Sequence, residues 1–251
     1  MSKKGDNYIY GIRGAIEAIR AGKEIDKIFL RQGAKSKLAI ELFGLIRKSN
    51  IPYQFVPVQR LNRITQKNHQ GVIALLSVIG YQKAEQLLPG LYESGEIPFL
   101  LVLDQVSDVR NFGAIIRTAE CAGVHAVIIP QKGSAQINPD AMKTSAGALH
   151  TMAICRTEKL SGTVKFLKDS GLHVVAAVEK ANNLYHKARY NTPLAIVLGS
   201  EEKGISDEIL ELADEKVRIP LKGKIESLNV SVSAGILIYE AVKQRNNTRI
   251  K

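Results

Sequence analysis

Six short apolar runs recur through the last 153 residues of the chain: FLLVLD (99–104), HAVIIP (125–130), TMAICR (151–156), LHVVAAV (172–178), LAIVLG (194–199) and EKVRIPL (215–221). They are rich in β-branched residues and do not alternate with polar ones. A strand with one wet face shows a period of two, whereas a strand buried on both faces does not. Helical patterns separate most of the runs, at 111–122, 139–149, 159–170 and 206–213, and a last helix is expected over about 229–245. Strands that alternate with helices build an α/β domain around a mostly parallel sheet. In such a sheet, ligands sit beyond the carboxyl ends of the strands.

The 80 residues at the start read differently. Tyr8 to Gly22 carries Ile12, Ala15, Ile16 and Ile19 at helical spacing, with Gly22 as a stop. DKIFL (26–30), QFVPV (54–58) and GVIALLSV (71–78) are expected strands, and 37–49 is a second amphipathic helix. This segment holds 14 Lys/Arg against 5 Asp/Glu, while 97–251 holds 20 against 16, so most of the net charge of +11 lies in the first third. A small unit so positive attracts polyanions, which points to RNA or DNA. Residues 81–97 lose the pattern and are expected to be a connector.

Several classes are disfavoured. No apolar run approaches the roughly 18 residues of a membrane span. The start, MSKKGDNYIYGI, lacks the apolar centre of a secretory leader. Cys121 and Cys155 stand alone in apolar settings and fit a reducing cytoplasm. The five histidines show no ligand spacing, so no metal is expected.

Three loops at carboxyl ends of strands carry the polar residues. The first follows 99–104: Asp104 ends the strand, Asn111 is placed to cap the next helix, and Arg117 comes six residues later. Taken alone it is an ordinary capped helix with a surface arginine. The second, GSEEKGIS after 194–199, departs from a phosphate loop because Ile205 and Ser206 follow Gly204, and no GxGxxG occurs in the chain. Neither a nucleoside triphosphate nor a dinucleotide is signalled. Its Gly199 and Gly204 allow a tight backbone that presents Glu201. The third runs from Ile219-Pro220-Leu221 to Ser227-Leu228-Asn229, with Ser231 and Ser233 beyond. One cap residue suffices for a helix, so this density of small polar groups asks for another reason.

The three loops in this order resemble the SpoU (TrmH-type) methyltransferases of the SPOUT class. The matching motifs are Asp104…Asn111-x-Gly113-x3-Arg117-Thr118, Leu198-Gly199-Ser200-Glu201 with Gly204, and Ile219-Pro220-Leu221…Ser227-Leu228-Asn229-Val230-Ser231. Residues 8–80, with Tyr10-Gly11 and His69-Gln70-Gly71-Val72, are similar to the family's substrate-binding domain, itself like ribosomal protein L30e. The arrangement most resembles the bacterial 23S rRNA guanosine 2′-O-methyltransferases. The resemblance implies three parts: a basic L30e-like RNA-binding domain over 1–80, a linker over 81–97, and a SPOUT domain over 98–251 with a C-terminal trefoil knot. It also implies a homodimer; Leu237, Ile238, Ala241 and Val242 of the last helix either contribute to its interface or simply cover the sheet. One departure is Asp108-Val109, where the family usually has Asp-Pro, and this bears on the stiffness of that loop.

The implied reaction moves a methyl group from S-adenosylmethionine to a ribose 2′-hydroxyl of RNA. Leu198, Gly199, Ile219, Leu221 and Leu228 are the implied cofactor contacts. Arg117, Asn111, Glu201, Ser227 and Asn229 are the implied catalytic set, with Arg117 as either phosphate anchor or base. Three other readings compete: a tRNA substrate, a non-catalytic RNA-binding relative, and a nicotinamide-dependent oxidoreductase. The missing glycine fingerprint opposes the last.

Overall fold

A computed structural model describes residues 7–33 and 36–249; the extreme start read above for a leader, residues 1–6, lies outside them. The chain divides at residue 80 into two compact units.

The first unit runs β1 (Tyr8–Tyr10), α1 (Ile12–Arg20), β2 (Ile25–Arg31), α2 (Lys37–Lys48), β3 (Tyr53–Val56), α3 (Val58–Ile64) and β4 (Val72–Leu76). Its sheet has the order β1-β4-β2-β3, with β2 and β3 parallel and the other pairs antiparallel. Ile12, Ile16, Leu42 and Ile46 of the first two helices share a core with Ile28 and Leu30, whereas Leu61 of α3 packs with Phe29 and Ile73. Two expectations fail here. Residues 8–10 form a strand that Gly11 ends at φ 86°, so the helix begins only at Ile12. The expected strand 54–58 stops at Val56, because Pro57 has no N–H for the ladder and instead precedes α3.

The second unit holds β5 (Tyr81–Gln82), α4 (Ala84–Glu93), β6 (Phe99–Asp104), α5 (Val109–Cys121), β7 (Ala126–Pro130), α6 (Pro139–Thr144), β8 (Ala153–Thr157), α7 (Leu160–Asp169), β9 (His173–Ala177), β10 (Asn183–Leu184), β11 (Leu194–Gly199), α8 (Asp207–Leu210), β12 (Glu215–Arg218) and α9 (Val230–Arg249). The strands make one sheet, β10-β12-β9-β11-β6-β7-β8-β5, with every pair parallel. Every residue of β6 is buried, as a doubly covered sheet requires. Residues 81–97, expected as a connector, belong to this unit: β5 pairs with β8, and Leu88 of α4 is buried in the same core as Leu100.

Other differences have local causes. The helix expected over 139–149 breaks after Thr144, where Ala146 (φ 51°) and Gly147 (φ 91°) turn the chain into a single 3-10 turn. The strand expected over 215–221 ends at Arg218, two residues before Pro220. The Val-Ser alternation after Asn229 is helical from Val230 onward. Of the apolar face of the last helix, Leu237, Ile238 and Ala241 are completely buried within the chain, as the sheet-covering alternative requires, and Val242 is half-buried. No helix among the described residues is long and apolar enough to cross a membrane.

Candidate active site

β6 and β11 lie side by side, with Asp104 and Gly199 paired at their carboxyl ends. From β6 the chain moves outward through β7 and β8, then crosses to β9 and returns to β11. The strand order therefore reverses between β6 and β11, where an open α/β sheet places its ligands. Asp104 is buried and its Oδ2 accepts from the Ser206 amide at 2.7 Å, tying the end of β6 to the loop after β11.

That loop is a tight turn. Ser200 and Gly204 form an isolated bridge, and the Gly204 amide donates to the Ser200 carbonyl at 2.8 Å. A Cβ on Gly199 would sit 2.1 Å from the Gly204 carbonyl carbon, so only glycine fits. Gly204 itself lies at φ 67°. The turn brings Glu201 to the rim of two cavities.

The larger cavity has a volume of about 420 Å³ and is lined by Leu198, Gly199, Ile219, Leu221 and Leu228, along with Glu201 and Ser233. All five residues singled out for cofactor contact therefore face one space. Its size and apolar walls with a few polar groups suit a nucleoside-sized ligand. The smaller cavity, about 260 Å³, is lined by Gln105–Asp108, Asn111 and Glu201 among others.

A hydrogen-bond cluster stands at the shared rim. Asn229 Nδ2 donates to Glu201 Oε1 at 2.7 Å and to Asn111 Oδ1 at 2.9 Å. Glu201 Oε1 also accepts from the Val230 amide at 3.0 Å and, longer, from Asn111 Nδ2 at 3.4 Å. Asn229 Oδ1 in turn accepts from the amide and hydroxyl of Ser231, at 3.0 and 2.5 Å. Asn229 therefore caps α9 with its oxygen and, with its nitrogen, ties the first turn of α5 to the loop after β11. Asn229 and Ser231 thus account for two of the small polar residues there.

Asn111 does not cap α5 with its side chain. Asp108 does, accepting from the Asn111 amide at 2.8 Å, and this leaves the Asn111 side chain for Glu201 and Asn229. The same cap orders the loop where the sequence has Val109. Ser227 is half-buried, lines neither cavity, and among the described residues makes no hydrogen bond to the cluster. Arg117 is exposed, lines neither cavity and bonds none of the cluster. Six residues at 100° each turn it to a different face of α5 from Asn111. His69, in the first unit, is structural: Nδ1 accepts from the Gly71 amide at 3.0 Å and Nε2 lies 2.8 Å from Asn62 Oδ1.

One wall was not anticipated. Ala177 at the end of β9, and Val178, Glu179 and Lys180 after it, also line the larger cavity. β9 is another parallel strand ending at the same edge, so the rule that located the other loops applies to it as well. Among the described residues no three His, Cys, Asp or Glu side chains are grouped to hold a metal.

A parallel sheet with a nucleoside-sized cavity over its carboxyl edge, preceded by a separate basic unit, defines a two-part nucleic-acid-modifying enzyme. Comparison with known proteins gives its family. Residues 98–239 match the SpoU rRNA methylase family, and residues 8–81 match the RNA 2′-O ribose methyltransferase substrate-binding domain. The chain belongs to the SpoU rRNA methylase family. It is 36% identical over 241 residues to the 23S rRNA (guanosine-2′-O-)-methyltransferase RlmB of Escherichia coli, covering 95% of this chain and 98% of that one. It is 32% identical over 246 residues to YacO of Bacillus subtilis, assigned to the TrmH family of tRNA/rRNA methyltransferases, covering 98% of each. Its fold is shared by the SpoU methyltransferase AviRb of Streptomyces viridochromogenes in complex with AdoMet, with a TM-score of 0.60 and 22% identity over 96% of this chain and 90% of that one.

Proposed function

We propose that this protein transfers a methyl group from S-adenosylmethionine to the 2′-hydroxyl of a guanosine ribose in 23S rRNA, in the reducing cytoplasm, as a homodimer without a metal. The observation that carries this reading is the pair of cavities that share Glu201 as a lining residue, the larger of them nucleoside-sized. Bound cofactor supplies an activated sulfonium methyl. The chain's own task is to hold a ribose oxygen in line with it and to dispose of the hydroxyl proton.

In this reading Leu198, Ile219, Leu221 and Leu228 hold the adenosine part, and the missing Cβ of Gly199 keeps the turn beside it tight. The knot implied by the resemblance belongs to the same reading: the segments 198–205 and 219–228 both contribute residues to one cavity wall. Asn111, Glu201, Ser227 and Asn229 orient the ribose. Arg117 anchors a substrate phosphate, since a guanidinium gives up its proton very reluctantly. Its exposed position away from its own chain's cavities supports action at the site of a second copy. The first unit, by its charge and its substrate-binding match, takes the RNA.

The test is incubation with methyl-labelled S-adenosylmethionine and unmodified 23S rRNA, with tRNA alongside, followed by nuclease mapping. Label on a guanosine 2′-oxygen of 23S rRNA, lost in Arg117→Ala while cofactor still binds, is expected. Label in tRNA alone would overturn the substrate and keep the chemistry. Absence of both label and cofactor binding would favour a non-catalytic RNA-binding protein.

A further inference from the structure

The first unit exposes an aromatic surface that its core does not use. Phe43 on α2 and Tyr53 and Phe55 on β3 have ring centroids 5.7–5.9 Å apart in every pairing. Phe43 is partly buried against the core and anchors the group. Tyr53 is 41% exposed, Phe55 44%, and the adjoining Ile40 of α2 69%. A single exposed apolar residue is ordinary, but a contiguous cluster of this size marks an interaction site. β3 is the last strand of its sheet, at the opposite edge from β1, which carries Tyr10. The cluster is thus separate from the Tyr10-Gly11 stretch that resembles the family's substrate-binding motif.

The surrounding charge selects the occupant. Arg47 lies four residues after Phe43 and shares its face of α2, while Lys37 lies three residues before the exposed Ile40, at the outer margin of the cluster. Glu41, the acid nearest in sequence, is already paired with Arg20 at 2.7 Å. Exposed rings between cations fit unpaired bases on a phosphate backbone: every base has a face to stack, and every phosphate meets a positive charge.

We propose that Tyr53 and Phe55, backed by Phe43, form a stacking platform for unpaired bases of the RNA substrate, with Lys37 and Arg47 meeting the flanking phosphates. This rests on the RNA-substrate reading above and adds a second contact face to it. The platform gives affinity without reading sequence, so it serves to hold a single-stranded segment beside the methylated element.

The experiment uses the full chain and an unstructured oligoribonucleotide of about twelve nucleotides, with an abasic counterpart. Binding is followed by fluorescence anisotropy at fixed salt. The double variants are Y53A/F55A and Y53L/F55L; the leucine pair keeps apolar volume if the alanine pair fails to fold, and cofactor-induced thermal shifts confirm folding. Both pairs should bind the oligomer roughly ten-fold or more weakly than wild type, and the abasic oligomer should bind all three proteins alike. Unchanged affinity would overturn the platform. So would wild-type affinity in the leucine pair, which would mark an apolar protein-docking face, or a shift from dimer to monomer in sedimentation, which would mark a contact between copies. Methyl transfer by the wild type separates the two readings. If it methylates rRNA and the variants bind the oligomer normally, only the platform falls. If it methylates no RNA but the variants lose oligomer affinity, only the substrate reading falls.

Discussion

The Asn229 side-chain nitrogen sits 2.7 Å from Glu201 Oε1 and 2.9 Å from Asn111 Oδ1, so one side chain joins the first turn of α5 to the loops that follow β11 and β12. The geometry divides labour. Glu201 reaches both cavities, whereas Asn111 lines only the smaller one. Replacing Asn111 by alanine removes a partner of Asn229 at the smaller cavity and leaves the wall of the larger one intact. Methyl transfer by Asn111→Ala should fall roughly ten- to a hundred-fold, because loosened positioning is costly in an in-line reaction. Cofactor affinity, read by calorimetry, should stay close to wild type. An equal loss of both would show that the cluster shapes the larger cavity instead.

Arg117 and Glu201 offer a test of the dimer. If Arg117 acts on the site of a second copy, Arg117→Ala and Glu201→Ala are each inactive, but mixing them restores one intact site in every mixed dimer. After unfolding and co-refolding at equal amounts, activity should recover to about a quarter of wild type, as random two-fold pairing gives mixed dimers half the time. No recovery, with mixed dimers shown by mass spectrometry, would place Arg117 and Glu201 in the same chain's site.

Much of this architecture was legible because burial leaves a mark on composition. FLLVLD and LAIVLG match β6 and β11 end to end, since a strand covered on both faces is apolar along its length up to its carboxyl end, where Asp104 stands. Elements held by contacts distant in sequence were not legible. β5 and β10 have two residues each, and only pairing with β8 and β12 defines them. Asn111 illustrates the same limit at the site. Its spacing fitted a cap, but Asp108 at the true start of α5 fills that role, and the partners of Asn111 lie 90 and 118 residues away. The face Leu237-Ile238-Ala241 is equally ambiguous in sequence, because an apolar helix stripe does not reveal whether a sheet or a second chain covers it.

Val109 departs from the proline usual in the family, and the structure shows what replaces it. Asp108 has φ −71° and ψ 124°, a conformation compatible with a following proline, and Val109 is the first helical residue of α5. An amide at that position has no partner within the helix, so proline is tolerated there. Val109→Pro should stabilise the protein by about 0.5 kcal/mol, chiefly by restricting the unfolded chain. Urea unfolding would show it as a raised midpoint at unchanged slope. Destabilisation would mean that the loop depends on the valine side chain.

Asp214 provides a pH test whose sign is determined. Burial alone would raise its carboxyl, but the hydrogen bond from Lys168 at 2.8 Å, the bond from the Val174 amide at 2.9 Å, and the charges of Lys168 and His173 together hold it below its ordinary value of 3.8. A carboxyl lowered in the folded state favours folding while it is ionised. This contribution is fully present above the unfolded value of 3.8 and is lost as pH falls through the lower folded value. His173 lies 3.7 Å from Asp214 and 2.8 Å from Glu215, and both contacts are left in place by a change at Lys168. Lys168→Met should cost about 1 kcal/mol at pH 7, the upper range for a partly exposed pair. Urea unfolding repeated down to about pH 2 should show the gap between the proteins narrowing below pH 3.8, leaving the part owed to the Lys168 bond to the Leu212 carbonyl. A gap independent of pH would assign the whole effect to that bond and to packing.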